Sequence, residues 1–256
     1  MDKEAHGEFE SEGAGYCGAQ DTFYVGTLKG GGRIYQQTFV DTYSKVAVAK
    51  LYDRKTSLTA ADLLNDQVVP CFDTHEVPLP RILTDRGTEY CGSPDRHEYE
   101  LYLAIANIEH TRTKVKSPQT KGIVERGHQT MLNGFYRMTF RKKIYPTLAE
   151  LQADLDDWLR YYNEERVHQG RWCYGRTPMR TFLDTIPLAK EKLLAASPIG
   201  HWESPDNEDK NHTLSDQVLT STRKAPAPRT PTRGNQTSVF RLVTAYHNQR
   251  VTHSLK

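Results

Sequence analysis

The sequence predicts an α/β protein built on a mixed five-stranded sheet, with three antiparallel strands and two parallel additions flanked by helices. Two observations carry this. Three strand-like runs follow one another through short links between Asp21 and Tyr52, and beyond them short apolar runs alternate with helical patterns. The chain has 256 residues, 37% hydrophobic and 26% charged, which supports one core that does not take in the whole length.

Residues 1–18 hold Asp2, Glu4, Glu8, Glu10 and Glu12 among glycines and read as a disordered lead. Asp21–Gly26 is rich in β-branched and aromatic residues, so it reads as a strand, and Gly30-Gly31-Gly32 supplies the turn after it. Arg33–Asp41 and Lys45–Tyr52 complete an antiparallel meander through Thr42-Tyr43-Ser44. Thr59-Ala60-Ala61-Asp62 is read as a helix start, the helix running to about Phe72. Pro80–Thr84 is a short strand. Ser93-Pro94 has the cap-then-proline form of a helix start, and that helix stops near Asn107 before a strand at Ile108–Thr113. Ser117-Pro118 repeats the signature, followed by Val124, Met131, Leu132, Phe135 and Met138 as one apolar stripe for core packing. Thr147-Leu148-Ala149-Glu150 is a capping box opening a helix with Leu148, Leu151, Leu155, Trp158, Leu159 and Tyr162 at helical spacing. The folded unit is placed at 19–190. Residues 191–256, proline-rich and polar over 197–237, are read as a disordered tail in which only Val239–Val251 has helical content.

Net charge is only +2, but between Thr111 and Lys143 nine Lys and Arg residues stand with Glu125 as the one acid. Such a window is either a solvated basic face or a surface for a polyanion. The four cysteines, Cys17, Cys71, Cys91 and Cys173, are scattered, which argues against a zinc module or a disulfide framework and for a reducing compartment. No apolar run is long enough to cross a membrane. The expected location is the cytoplasm.

Three carboxylates stand out by setting. Asp21 opens its strand run, Asp85 closes Arg81-Ile82-Leu83-Thr84 just before Arg86-Gly87, and Glu125 lies in the first part of the helix after Ser117-Pro118. Mg²⁺ takes one or two carboxylates per ion and leaves room for phosphate and water, so separated acids that converge suit phosphodiester chemistry. Taken singly, Asp21 is also an ordinary polar residue at a strand start, Asp85 a turn former and Glu125 a favourable charge in a first helical turn. Asp41, in Phe39-Val40-Asp41-Thr42, is the rival for the first acid.

In this order the elements resemble the catalytic core of DDE insertion-sequence transposases and retroviral integrases. Thr84-Asp85-Arg86-Gly87-Thr88-Glu89-Tyr90 resembles the family's strand-four motif, and Ser117-Pro118-Gln119-Thr120-Lys121-Gly122 the segment leading to its catalytic Glu. Tyr162-Asn163-Glu164-Glu165-Arg166-Val167-His168-Gln169-Gly170 with Thr177-Pro178 resembles the closing motif of bacterial insertion-sequence transposases. The resemblance covers roughly residues 16–190. It implies a ribonuclease H-like fold, with Asp21, Asp85 and Glu125 holding two Mg²⁺ or Mn²⁺ ions for in-line displacement. A first step would nick DNA to free a 3′-OH at a transposon end; that hydroxyl would then attack target DNA. Lys114, Lys116, Lys121, Arg126 and His128 are the expected contacts to double-stranded DNA, and the protein is expected to act as a homo-oligomer on DNA, in association with a bacterial nucleoid. Two departures stand against the family pattern. Gln129 and Leu132 occupy positions where a Lys or Arg is common, and only the short lead precedes the core where helix-turn-helix domains are usual. The second departure keeps open a transposition-incompetent fragment that binds DNA or inhibits. A ribonuclease H or resolvase is the third reading, which the closing motif disfavours.

Overall fold

The computed structural model of the protein describes residues 11–28, 32–113 and 118–196. Most of the expected lead (1–10), part of the glycine turn (29–31), Lys114 to Ser117, and residues 197–256 of the expected tail, Val239–Val251 among them, lie outside the described residues.

Five strands join in the order β3-β2-β1-β4-β5. β1 (Gly18–Leu28), β2 (Gly32–Asp41) and β3 (Ala47–Tyr52) are antiparallel neighbours, while β4 (Arg81–Thr84) and β5 (Glu109–Arg112) add in parallel beside β1. This is the sheet the sequence predicts. β1 starts three residues earlier than expected, so Asp21 lies within the strand. Its first residue must be glycine, because a Cβ on Gly18 would meet Phe39 Cε2 at 2.0 Å.

The helices form two layers. α1 (Ser57–Leu63), a π segment (Leu64–Val68) and α2 (Val69–Thr74) run on as one rod. Its cap is Thr56, not Thr59: the Thr59 N–H donates to Thr56 Oγ1 at 3.2 Å and the Thr56 N–H to Thr59 Oγ1 at 3.1 Å, a reciprocal box that sets the start at Ser57. α3 (Glu98–Ile105) also departs from expectation. Ser93-Pro94 makes only a turn, and extended backbone at His97 delays the helix to Glu98. These helices and α7 (Pro178–Ala196) cover one sheet face with a core that includes Phe39, Leu63, Phe72, Ile82 and Tyr99. The sequence did not lead us to expect α7. The Arg180 N–H donates to Thr177 Oγ1 at 3.2 Å, and Phe182 packs edge-on against Phe72 at 5.4 Å.

The other face carries α4 (Pro118–Met131), a π segment (Leu132–Tyr136), α5 (Arg137–Thr139) and α6 (Leu148–Glu164). Here Ile34, Val40, Ala49 and Leu51 meet Met131, Phe135, Leu155 and Leu159. Val124, Met131 and Phe135 are buried as the stripe predicts, but Met138 is 47% exposed. The wider π turn shifts the helical phase, so Tyr136 turns inward and Met138 outward. The Glu150 N–H donates to Thr147 Oγ1, as the capping box predicts. Among the described residues no helix is long and apolar enough to cross a membrane.

Candidate active site

The β1–β4 register sets the site. Gly18 pairs with Ile82 and Ala19 with Leu83. Asp21 and Asp85 each lie two residues further on, so they stand abreast and on the same sheet face as Ala19 and Leu83. Both aspartates line one small cleft of about 20 Å³, with Leu83, Thr113 and Val124 in its walls. Backbone donors fix each carboxylate. The Thr22 N–H donates to Asp21 Oδ1 at 2.8 Å, and the Gly87 N–H donates to Asp85 Oδ1 at 2.7 Å.

A third carboxylate lies behind this pair. Glu89 is 2% exposed; Oε1 accepts from the Thr22 hydroxyl at 2.9 Å and pairs with Lys55 Nζ at 2.7 Å, while Oε2 is buried with no hydrogen-bond partner. A Cβ placed on Gly87 would stand 2.5 Å from Glu89 Oε2 and 2.9 Å from Asp85 Oδ1, so two carboxylate oxygens border one spot that only glycine leaves open. Neighbouring carboxylates of one sign repel unless a proton or a cation is shared between them. The carboxylates of Asp21 and Asp85 around their shared cleft are oxygen donors of the kind a small hard cation such as Mg²⁺ takes. Glu89 falls inside a motif visible in the sequence, but nothing in the linear pattern shows that Thr22 and Lys55 would hold it.

Glu125 stands apart. It is exposed on α4, next to Val124, which packs on Cys17, Ala19 and Leu83 and lines the cleft. Among the described residues no three His, Cys, Asp or Glu side chains gather as a ready metal cluster. The structure therefore brings two of the expected acids together and leaves the third on the adjoining helix. Asp41, the rival, is elsewhere: fully buried, it accepts from the Gly15 N–H at 3.0 Å, the Ser44 N–H at 2.7 Å and the Ser44 hydroxyl at 2.6 Å, closing the β2–β3 turn.

The expected DNA contacts divide. Lys114 and Lys116 lie outside the described residues, as does the side chain of Lys121. Arg126 is exposed. His128 is a correction. It is 6% exposed, its Nε2 is 3.0 Å from Thr38 Oγ1, its ring is 5.1 Å from Phe23, and Nδ1 is 4.0 Å from Asp21. Burial pushes its ionisation down to about 4, so at neutral pH it offers a phosphate neither charge nor access. The basic window also loses members to acids just outside it. Arg112 pairs with Glu100, and Lys143 with Asp154 at 2.9 Å.

Residues 14–118 and 106–178 each match the integrase core domain family. The chain is 30% identical over 166 residues to the integrase ORF3 of Spiroplasma virus SpV1-C74, spanning 62% of this chain and 44% of that protein. It is 27% identical over 190 residues to the retrovirus-related Pol polyprotein from transposon 412 of Drosophila melanogaster, spanning 70% of this chain and 13% of the polyprotein. The chain thus covers less than half the length of either relative. A chain of the simian T-cell lymphotropic virus intasome, solved with the PP2A regulatory subunit B56 gamma, superposes with a TM-score of 0.54 at 19% identity over 84% of this chain and 65% of that one, a likeness of fold.

Proposed function

Because this chain carries the integrase core domain of the DDE integrases and transposases, we propose that it cuts and joins DNA strands at the Asp21–Asp85 cleft. The observation that carries the reading is the shared cleft itself: two carboxylates set abreast by a parallel strand pair, each anchored by a backbone N–H, with an unpartnered buried carboxylate oxygen close by. Asp21 and Asp85 would hold divalent ions, Mg²⁺ or Mn²⁺ and two in number, with Glu125 joining from α4. Such ions, when bound, stabilise the charge that develops on attacking and leaving oxygens at phosphorus.

The side chains have separate tasks. Asp21 and Asp85 fix where the scissile phosphate sits. Arg126, Lys114, Lys116 and Lys121 meet flanking phosphates, which gives affinity that falls with salt and carries no sequence information. Cutting frees a 3′-OH, and strand transfer is the attack of that hydroxyl on a second DNA segment, as a homo-oligomer that holds both. A second reading, DNA occupancy without strand chemistry, draws on the fact that among the described residues Glu125 does not join the two aspartates in a three-ligand cluster.

The test is a labelled duplex incubated with Mg²⁺ or Mn²⁺. The expected result is nicked and joined products that disappear with chelator and in Asp85→Asn, while DNA is still bound. Binding with no product under any condition supports the second reading, and equal cutting by Asp85→Asn removes the first.

A further inference from the structure

A far larger feature lies beside the acid cleft. An open groove of about 1180 Å³ runs between α4, α6, the β2–β3 turn and residues 166–172, and Leu83 lines both it and the acid cleft. Its four cations come from three separate places in the chain: Lys45 of the β2–β3 turn, Arg126 of α4, and Arg166 and Arg171 of the segment after α6. No Asp or Glu is among its lining residues. The like charges act on one another. His168 is held below its ordinary ionisation by burial first, then by Lys45, Arg166 and Arg126.

Four aromatic side chains line the same space: Trp158, Tyr161, Trp172 and the buried Tyr162, on which Trp158 stacks. Tyr161 is 46% exposed on the surface of α6. Trp172 stacks on Tyr43 at 5.0 Å, with the Arg171 guanidinium 4.6 Å from its ring centre. Its backbone is left-handed, φ 74°, a conformation that costs an L-residue about 1 kcal/mol or more. The fold thus holds a tryptophan in an unfavourable conformation at the groove.

We infer that this groove is a second nucleic-acid site, which takes a single-stranded stretch of the DNA acted on at the acid cleft; the inference rests on the strand-cutting reading above. Cations track the phosphates, and the aromatic faces stack bases. That combination binds single strands, since bases inside a duplex offer no free faces. Charge alone would equally suit an acidic polypeptide, and the aromatic faces decide against it. Leu83, buried between them, sets the groove and the acid cleft side by side, so one strand can reach from the acids to the groove.

The chain has three tryptophans, and Trp158 and Trp172 both line the groove, the third being Trp202. A Trp202→Phe protein therefore reports on the groove by its own fluorescence. It is titrated in chelator with a thymidine 12-mer, a matched duplex and polyglutamate. The expected result is saturable quenching by the single strand. Tyr161→Ala weakens it about fivefold or more, as loss of one stacked base requires. Arg166→Gln with Arg171→Gln lowers the salt slope by about 1.4, or about 0.7 per lost phosphate contact. Each variant is melted first, and if the arginine pair unfolds the protein, exposed Tyr161→Ala carries the test. Single-strand binding by anisotropy with unchanged tryptophan emission, or quenching by polyglutamate but not by DNA, overturns the inference. No ion or cutting is needed, so a protein that fills the groove yet never nicks DNA loses the strand-cutting reading alone.

Discussion

Glu89 is the residue whose environment says most about the site. It is buried, its Oε2 is unsatisfied, and Asp85 Oδ1 borders the same spot beside Gly87. A side chain kept for stability alone would not leave a buried oxygen unpaired, because that costs about 1–3 kcal/mol. Glutamine in its place would keep an oxygen for Thr22 and turn an amide N–H toward Asp85. The weakened Lys55 pair costs little, since Lys55 is 40% exposed. Glu89→Gln is therefore expected to stabilise the metal-free protein by about 1 kcal/mol in urea unfolding and to weaken Mn²⁺ binding. A destabilised variant with unchanged Mn²⁺ affinity would make Glu89 purely structural. Asp21 and Asp85 could be picked out in the sequence because each ends or begins a distinct local pattern. The burial of His128 could not, since Phe23 and Thr38 reach it from strands about 90 or more positions away. Arg112 and Lys143 read as free phosphate ligands for the same reason: Glu100 and Asp154 lie outside the basic window.

α6 and α3 show what the closing motif and the acids outside that window do for the sheet. The Ala47 N–H donates to Asn163 Oδ1 at 2.9 Å, and Asn163 Nδ2 donates to the Ala47 carbonyl at 2.8 Å. The Leu51 N–H donates to Gln152 Oε1 at 2.7 Å. α6 thus closes the open edge of β3, which would otherwise offer bare backbone to another strand. Asn163→Ala leaves two backbone groups without partners and is expected to cost about 2 kcal/mol in urea unfolding; a cost under about 0.5 kcal/mol would mean water replaces the side chain freely. On the opposite edge, Glu100 of α3 receives Arg112, and His110 Nδ1 lies 3.1 Å from both its oxygens. Burial raises the ionisation of Glu100, but these partners outweigh it and the net shift is downward. A lowered folded value stabilises above the unfolded value and is lost as pH falls through the folded one. The stability gap between parent and Glu100→Gln is therefore expected to be full at pH 7 and to close below about pH 4.5, read by thermal melts across pH. A gap independent of pH would contradict the ion pairing. Helix existence was readable from caps and stripes. The phase after Leu132 was not, because the π turn places Tyr136 so that its hydroxyl donates to Gln36 of β2, a contact that no residue type in the helix reveals.

Across the whole molecule, strand order was readable because β-rich runs with short links form meanders, and runs separated by helices add in parallel. α7 was missed although Thr177-Pro178 repeats the cap signature, since its inward residues include Thr181 and Thr185, which no apolar stripe reveals. The groove was invisible in the linear pattern because its four cations come from β2–β3, α4 and the segment after α6. The acids sit just past the point where the β1–β4 pairing ends, with Val124 of α4 beside them, and the central claim is that divalent ions bind there. Titrating Mn²⁺ by its paramagnetic effect on water protons, in the parent and in Asp21→Asn, Asp85→Asn and Glu125→Gln, tests this most directly. The account expects saturable binding in the parent, loss of it in both aspartate variants, and weakening in Glu125→Gln. Undiminished binding in Asp21→Asn or Asp85→Asn would contradict it.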